Sequence, residues 1–400
     1  MTLTNRLYYT DSYLRDFDAT VLDVVDHGDR RAAILDRTAF YPTSGGQPFD
    51  TGMLGDARVV DVVDREDGAV LHVIEGAIEA GLVHGCIDWE RRFDHMQQHT
   101  GQHVLSAAFE RVCRARTESF HLGAVSSTID LAREVSPAEI AAAELEANRI
   151  VWEDRSVIIR FADENEAASL PLRKEPKREG MLRIIEIEGV DLSACGGTHV
   201  SRTGAVGNIA VASFERFRGG SRVEFRCGIR ALHGYRALRD SLSAASRLLS
   251  TGPADVPGAI ERLLAEAKLA RARIKDLQDQ LAHHVAATLA AGGAHAGDVV
   301  HVVQRVDGWE MAGLKIIAAA IAERPSHVAV LVASATPSAI VAARASNVGV
   351  DAAAIVKAVT AKFGGKGGGR PELAQGGGLN APPDDVVRFV AGELNQQLKR

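Results

Sequence analysis

Along residues 1–88, short apolar stretches alternate with polar positions and are cut by turn residues: ATVLDVV, RAAILDR, ARVVDVV and AVLHVI are separated by DHGD, SGGQP and REDG. A period of two between Gly-, Asp- and Pro-bearing breaks predicts a small antiparallel, β-barrel-like unit. At Trp89 the period changes. In WERRFDHMQQHTGQHVLSAAFERV, Val104, Leu105, Ala108, Phe109 and Val112 recur at helical spacing. STIDL and SVIIRFAD then read as strands, SPAEIAAAELEANRIVWED as a helix opened by Ser136-Pro137, and MLRIIEIEGVDL, AVGNIAVASFERFR and SRVEFRCGI as further strands. Residues 89–231 are therefore expected to form an α+β domain.

Residues 232–291 turn helical and charged. Ile260, Leu263, Ala267, Ala270, Ile274, Leu277 and Leu281 form a heptad series that first fails at His284, which predicts either a helical hairpin or coiled-coil linker or an amphipathic helix lying on its own domain. Gly292, Gly293 and Gly297 break the helix. Residues 292–400 then alternate strands (VVHVVQRV, HVAVLVAS) with helices around the run FGGKGGGRPELAQGGG, as expected of a C-terminal α/β glycine-rich domain.

Composition narrows the class. The chain of 400 residues is 46% apolar and 24% charged, ordinary for two to three soluble domains and unlike disordered or collagenous sequences. The N-terminus MTLTNRLYYTDSYLRDF lacks a secretory layout and no apolar run is long enough to span a bilayer, so a cytoplasmic protein without membrane contact is expected. With 46 basic against 52 acidic residues, the net charge of -6 means that any RNA partner is held by local patches. Four scattered cysteines do not make a disulfide framework; Cys86, Cys113 and Cys227 are expected to pack as small hydrophobes.

The strongest chemical signal is a pair of short motifs. HTGQH sets His99 and His103 four apart on one helical face, the spacing one metal ion needs. ACGGTHV carries Cys195 and His199 around two glycines that let the backbone turn both side chains to one point. Three imidazoles and a thiolate suit one tetrahedral Zn2+ ion. His95 lies one turn upstream, and spacing alone leaves open which two of His95, His99 and His103 bind. No Glu follows His99, which removes the general base of a metalloprotease. Four tight protein ligands would make a closed structural site, whereas an exchangeable position would admit water or an ester carbonyl.

TAFYPTSGGQPFDTG, RRFDHMQQHTGQHVLS, SFHLG and CGGTH, in this order, resemble the alanyl-tRNA editing proteins of the AlaX type, freestanding relatives of the editing domain of alanyl-tRNA synthetase. FGGKGGGRPELAQGGG resembles the DHH-associated domain at the C-terminus of the synthetase and the long AlaX forms. The resemblance implies zinc ligands at His99, His103, Cys195 and His199, with His95 a neighbour. It places the family's glycine-rich motif on Gly45, Gly46, Gln47, Pro48, Asp50 and Gly52, with Ser44 where many relatives have a further glycine. It implies four parts: a barrel-like unit (1–88), a zinc-bearing editing core (89–231), a helical linker (232–291) and the DHH-associated-type domain (292–400).

The implied reaction is hydrolysis in trans of seryl-tRNA(Ala), and of glycyl-tRNA(Ala), sparing alanyl-tRNA(Ala); no room remains for an aminoacylation domain. A site that hydrogen-bonds the seryl hydroxyl rejects the analogue lacking it far better than a missing methylene would allow. Thr38, Gln47 and Ser119 are candidate readers, the Gly45-Gly46 turn a candidate wall, and His121 a candidate to orient water or substrate. For the tRNA acceptor end, LRKEPKREG offers Arg173, Lys174, Lys177 and Arg178, and RFRGGSR offers Arg216, Arg218 and Arg222, while the C-terminal glycine run, with Lys366 and Arg370, suits lying against a phosphate backbone, by the resemblance at the tRNA elbow. That C-terminal region is expected to grip the tRNA or to form a homodimer. The competing expectations are an RNA-binding protein with a purely structural zinc and a DHH-type phosphodiesterase, the latter lacking an aspartate-rich catalytic half.

Overall fold

The computed structural model describes residues 3–173 and 180–399, which divide into two units, one reaching Ala245 and the other beginning at Ser246. In the first unit six antiparallel strands close a barrel in the order Asp16–His27, Arg30–Leu35, Val70–Glu75, Ala57–Asp64, Gly52–Leu54 and Gly81–Ile87. Alternation does the sorting: Val21, Leu35, Val59, Val62, Val70 and Ile74 fill the interior. Cys86 corrects the expectation that it packs as a small hydrophobe. It shares the outward face of Gly81–Ile87 with Leu82 and His84 and is exposed.

Asp88 caps the helix Trp89–Cys113, its carboxylate accepting from Arg91 N at 3.3 Å, and Arg114 ends it at φ +51°. This helix is buried on nearly every side, so its polar residues carry partners: Gln98 exchanges hydrogen bonds with the backbone of Cys227, and Arg92, fully buried, meets Asp50. Val112, read as part of the apolar stripe, faces solvent. Met96, Val104, Leu105 and Phe109 pack with Ile129, Val223 and Phe225 of a four-stranded antiparallel sheet, ordered Ile209–Phe217, Gly220–Cys227, Ser127–Leu131 and Thr117–Leu122. The helix Pro137–Trp152 opens with a reciprocal cap between Ser136 and Glu139. A second sheet pairs Val157–Ala162, Leu182–Ile187 and Asp191–Ala194 and delivers the chain to Cys195. The helix Gly228–Leu248 follows directly on the strand that ends at Cys227.

In the second unit the helix Val256–Ala291 packs through Ala282, Ala286 and Ala290 against Leu314 and Ile317, while Ile260, Leu263, Ile274, Leu277 and Leu281 of the heptad series remain exposed. A six-stranded sheet runs in the order Ala294–Ala296, Val299–Val306, His327–Ala333, Ser338–Arg344, Leu373–Leu379, Lys366–Arg370. The α/β expectation needs correction here, because only Val299–Val306 and His327–Ala333 are parallel and the other pairs are antiparallel. The glycine run is one cause: it folds back on itself as a hairpin, with Gly367 opposite Gly376, and supplies two antiparallel strands. No helix among the described residues is long and apolar enough to cross a membrane.

Candidate metal centre

HTGQH lies in the buried middle of the helix Trp89–Cys113, so His99 and His103 project from one face with ring centroids 5.4 Å apart. CGGTH follows the strand Asp191–Ala194 and brings Cys195 Sγ to 3.3 Å from both His99 Nε2 and His199 Nε2. The four candidate ligand atoms of His99, His103, Cys195 and His199 lie within 4.8 Å of one another, and His95 stands outside the group. Donors about 2.0–2.3 Å from a tetrahedral ion sit roughly 3.3–3.5 Å apart, the separation found around the thiol.

Each imidazole is oriented from behind. His99 Nδ1 meets Gln47 Oε1 at 2.8 Å, His103 Nδ1 meets Asp191 Oδ2 at 2.7 Å, and His199 Nδ1 meets Thr100 Oγ1 at 3.1 Å. With Nδ1 engaged in each ring, Nε2 is the atom left to face the centre of the group. The donor chemistry and spacing therefore fit a single cation bound by one thiolate and three imidazoles.

Electrostatics favour the thiolate. Burial alone would raise the Cys195 thiol, but His99, His199 and hydrogen bonds from His103 and His199 hold it well below its ordinary value. Burial lowers His199 to about 3, opposed by Cys195. Burial acts on His103 in the same sense, yet its bonds to Asp191 and Cys195 outweigh it and lift the ring to about 9. Asp191 is held low by His103 and Arg173 against the effect of its burial.

The loop is pinned as tightly as the rings. Arg183 donates to Cys195 O at 2.7 Å, Gly197 O at 2.9 Å and Tyr9 O at 2.9 Å. Gln47 Oε1 also accepts from Thr198 N at 3.1 Å, and its Nε2 donates to Thr198 Oγ1 at 2.9 Å. Gly197 lies so close to His99 that a Cβ there would fall 2.2 Å from the ring. In the turn before Gln47, Gly45 and Gly46 both have positive φ, +56° and +86°, while Ser44 and Gln47 exchange backbone hydrogen bonds. Gly46 O accepts from Leu122 N at 3.1 Å, joining this turn to the strand Thr117–Leu122.

The other expected site residues are placed unevenly. Thr38 is buried away from the cluster, its Oγ1 2.7 Å from His72 Nε2 and accepting from Phe40 N. Ser119 and His121 occupy the strand face opposite Phe120: Ser119 Oγ donates to Asp130 at 2.5 Å, His121 is exposed, and it is the Phe120 ring that stacks on His99, 5.3 Å between centroids. Arg173 is ion-paired with Asp191. Lys174, Lys177 and Arg178 lie outside the described residues. Arg216 pairs with Glu134, Arg222 with Asp130, and Arg218 rests over Phe217. Lys366 and Arg370 bound the fully exposed edge strand of the second unit. Gln47's role behind His99, and Thr100, Phe120, Arg183 and Asp191, were not anticipated from sequence.

Family profiles match the DHHA1 domain over residues 298–400, tRNA synthetases class II (A) over 9–91, and the threonyl and alanyl tRNA synthetase second additional domain over 182–223. The chain is 33% identical to the alanyl-tRNA editing protein AlaX-L of Pyrococcus horikoshii, across 99% of this chain and 100% of that protein. It is 35% identical to the alanine–tRNA ligase of Pyrococcus abyssi, covering 93% of this chain and 42% of the ligase, and 37% identical to that of Halobacterium salinarum, covering 98% and 44%. The chain thus spans about two fifths of the length of these ligases. The C-Ala domain of Aquifex aeolicus alanyl-tRNA synthetase aligns with 27% of the chain at 22% identity and a TM-score of 0.24, too loose a match to argue from.

Proposed function

The chain belongs to the alanyl-tRNA editing proteins of the AlaX type, and from that membership we propose that it is a trans-acting cytoplasmic hydrolase that deacylates mischarged tRNA(Ala), seryl-tRNA(Ala) first and glycyl-tRNA(Ala) second, while sparing alanyl-tRNA(Ala). The observation that carries the proposal is the convergence of His99, His103, Cys195 and His199 from two distant segments beside the Gly45-Gly46 turn.

We assign one Zn2+ ion to those four side chains; with one of the four exchangeable, it would supply a Lewis acid to an ester carbonyl. The surrounding residues do the remainder. Gln47, Thr100 and Asp191 hold each imidazole in one orientation, and Arg183 fixes the backbone that carries the thiolate. An aminoacyl ester is already activated, so positioning contributes much of the acceleration. Discrimination falls to the wall formed by the glycine turn. Thr38 and Ser119 have committed their hydroxyls elsewhere, whereas Gln47 Nε2 spends one of its two hydrogens on Thr198. We assign recognition of the seryl hydroxyl to this turn, which the fully buried Gln47 holds against His99 and Thr198.

For the tRNA, the exposed Lys366 and Arg370 on a nearly bare glycine strand suit contact with a phosphate backbone. The uncovered leucine and isoleucine series on Val256–Ala291 suits a homodimer through the C-terminal region, tested by sedimentation of the protein against an Ile274→Glu, Leu277→Glu double variant.

One observation favours a second reading: four protein donors equal the usual complement of a closed, structural zinc, which would leave an RNA-binding protein. Seryl-, glycyl- and alanyl-tRNA(Ala) incubated with the protein separate the two. Release of serine and glycine with alanine retained supports the hydrolase, whereas background release from all three tRNAs, with tRNA still bound, leaves the binding protein.

A further inference from the structure

LRKEPKREG offers four cations to a nucleic acid, yet the first of them turns inward. Leu170 and Leu172 pack with Leu182, Ile184 and Leu192, and the next residue, Arg173, donates its backbone N–H to Leu192 O at 2.9 Å. Leu192 follows Asp191 in the strand that leads to Cys195, so this bond sets Arg173 beside a residue that supports the metal centre. Only 13% of the Arg173 side chain is exposed.

The carboxylate of Asp191 is fully buried and faces two ways. Oδ2 meets His103 Nδ1 at 2.7 Å, and Oδ1 accepts from Arg173 Nε at 2.5 Å and from Ser193 Oγ at 3.1 Å. A carboxylate is planar, so a donor that fixes one oxygen fixes the direction in which the other accepts. The Ser193 hydroxyl can rotate with it, whereas the planar guanidinium, tethered at Leu192, holds it still. His103 depends on this support in a way its neighbours do not. Gln47, behind His99, and Thr100, behind His199, each accept a backbone N–H of the CGGTH loop or its next residue, from Thr198 at 3.1 Å and from Val200 at 3.2 Å. The anchors of the Asp191 carboxylate are the Arg173 and Ser193 side chains.

We propose that Arg173 is a positioning residue of the metal centre: through Asp191 it holds the His103 ring with Nε2 directed at the cation, in place of the phosphate contact that its basic run suggests. The inference rests on the assignment of a cation to the four side chains. It does not rest on hydrolysis, and its test is read in metal and RNA binding without turnover.

Zn2+ affinity, in competition with a chelator, and the visible spectrum of the Co2+-loaded protein are measured for the full-length wild type, Arg173→Gln, Arg173→Lys, Asp191→Asn and the double variant Arg173→Gln, Asp191→Asn. Arg173→Met, which keeps the apolar stem, repeats the comparison should the glutamine variant unfold, and melts of the metal-free proteins report on the fold. Uncharged tRNA(Ala) is titrated into the zinc-saturated wild type and Arg173→Gln at several salt concentrations. Arg173→Gln is expected to bind Zn2+ about tenfold more weakly, with an altered cobalt spectrum, and Arg173→Lys to recover most of the affinity. Because Arg173 acts through Asp191, its loss should cost nothing further in Asp191→Asn, and tRNA affinity and salt slope should match the wild type. Wild-type Zn2+ affinity in Arg173→Gln, or an equal loss with and without the Asp191 carboxylate, overturns the proposal. Weaker tRNA binding with a salt slope shallower by roughly 0.7–0.9, at unchanged metal affinity, overturns it in favour of a phosphate contact. A wild type that takes up neither ion overturns it together with the metal assignment. The expected losses in a protein that releases no amino acid from any tRNA uphold the role of Arg173 and reject the hydrolase.

Discussion

Replacing Gly197 by alanine tests the geometry of the metal centre with a single methyl group. The added Cβ would lie 2.2 Å from His99 Cε1 and 2.4 Å from Nδ1, so the ring must retreat by about 1.2 Å to reach the 3.4 Å at which ordinary contact begins. The ring has little freedom to do so. Its Nδ1 is bonded to Gln47 at 2.8 Å, and it is flanked by Phe120 at 5.3 Å and His199 at 4.5 Å between centroids. Ligand distances at a metal tolerate about 0.2 Å, so His99 should leave the ligand set. Bound metal per chain should fall far below that of the wild type, and release of labelled serine from seryl-tRNA(Ala) in single-turnover reactions should slow by at least about 10²-fold. The neighbouring glycine is the control: a Cβ on Gly196 meets nothing nearer than Tyr9 Oη at 3.8 Å, so Gly196→Ala should keep its metal and its rate. Elemental analysis and thermal melts accompany the kinetics, to separate loss of the ion from loss of the fold. If the two variants behave alike, whether both active or both dead, the CGGTH loop does not sit on His99 in the manner described.

Three further outcomes follow from buried polar groups. Asp191→Asn removes the carboxylate behind His103 and should weaken metal binding about 10–100-fold in competition with a chelator; unaltered affinity would show that Asp191 does not tune the ligand. Asp50→Asn leaves Arg92 charged and fully buried, and urea unfolding should report a loss of about 3–5 kcal/mol; a change under about 1 kcal/mol would mean that the guanidinium finds another acceptor. Burial lowers His72 from 6.5 to about 4, so the unfolded chain takes up this proton first as the pH falls. Its stabilising contribution is complete above pH 6.5 and is lost as the pH drops toward 4, approaching about 3 kcal/mol; His72→Gln should flatten the stability profile in that window, and an unchanged slope would contradict the assignment.

Local chemistry was plain in the sequence where it acts over a few residues. The four alternating stretches became barrel strands, and the Ser136 cap opened its helix as expected. Closure of the barrel was not visible, because it depends on the three-residue strand Gly52–Leu54 and on Gly81–Ile87 pairing across the chain. The two motifs that could hold a cation were legible from residue type and spacing, though the choice among His95, His99 and His103 came only from the resemblance; their supports were not legible: Asp191 reaches His103 across 88 positions and Gln47 reaches Thr198 across 151, and no local pattern announces such a meeting. Within SFHLG it is Phe120, rather than Ser119 or His121, that meets His99. In a strand, neighbouring side chains part company, and the apolar Phe120, opposite the buried Ile129, marked the inward positions. In the C-terminal glycine run the missing side chains erased the alternation that would have revealed a hairpin.

The long reach of Gln47 bears on how the protein is made. Hairpins between residues 16 and 87 can zip early on a growing chain, since each joins near neighbours, whereas the cradle for the ion waits for a thiolate 96 positions beyond His99. On a growing chain the barrel strands, His99 and His103 have therefore all been synthesised before Cys195 and His199. Assembly of the four-residue cluster is consequently a late event of biosynthesis, and premature termination between His103 and Cys195 yields a chain with two of its four side chains and none of the loop that carries the others.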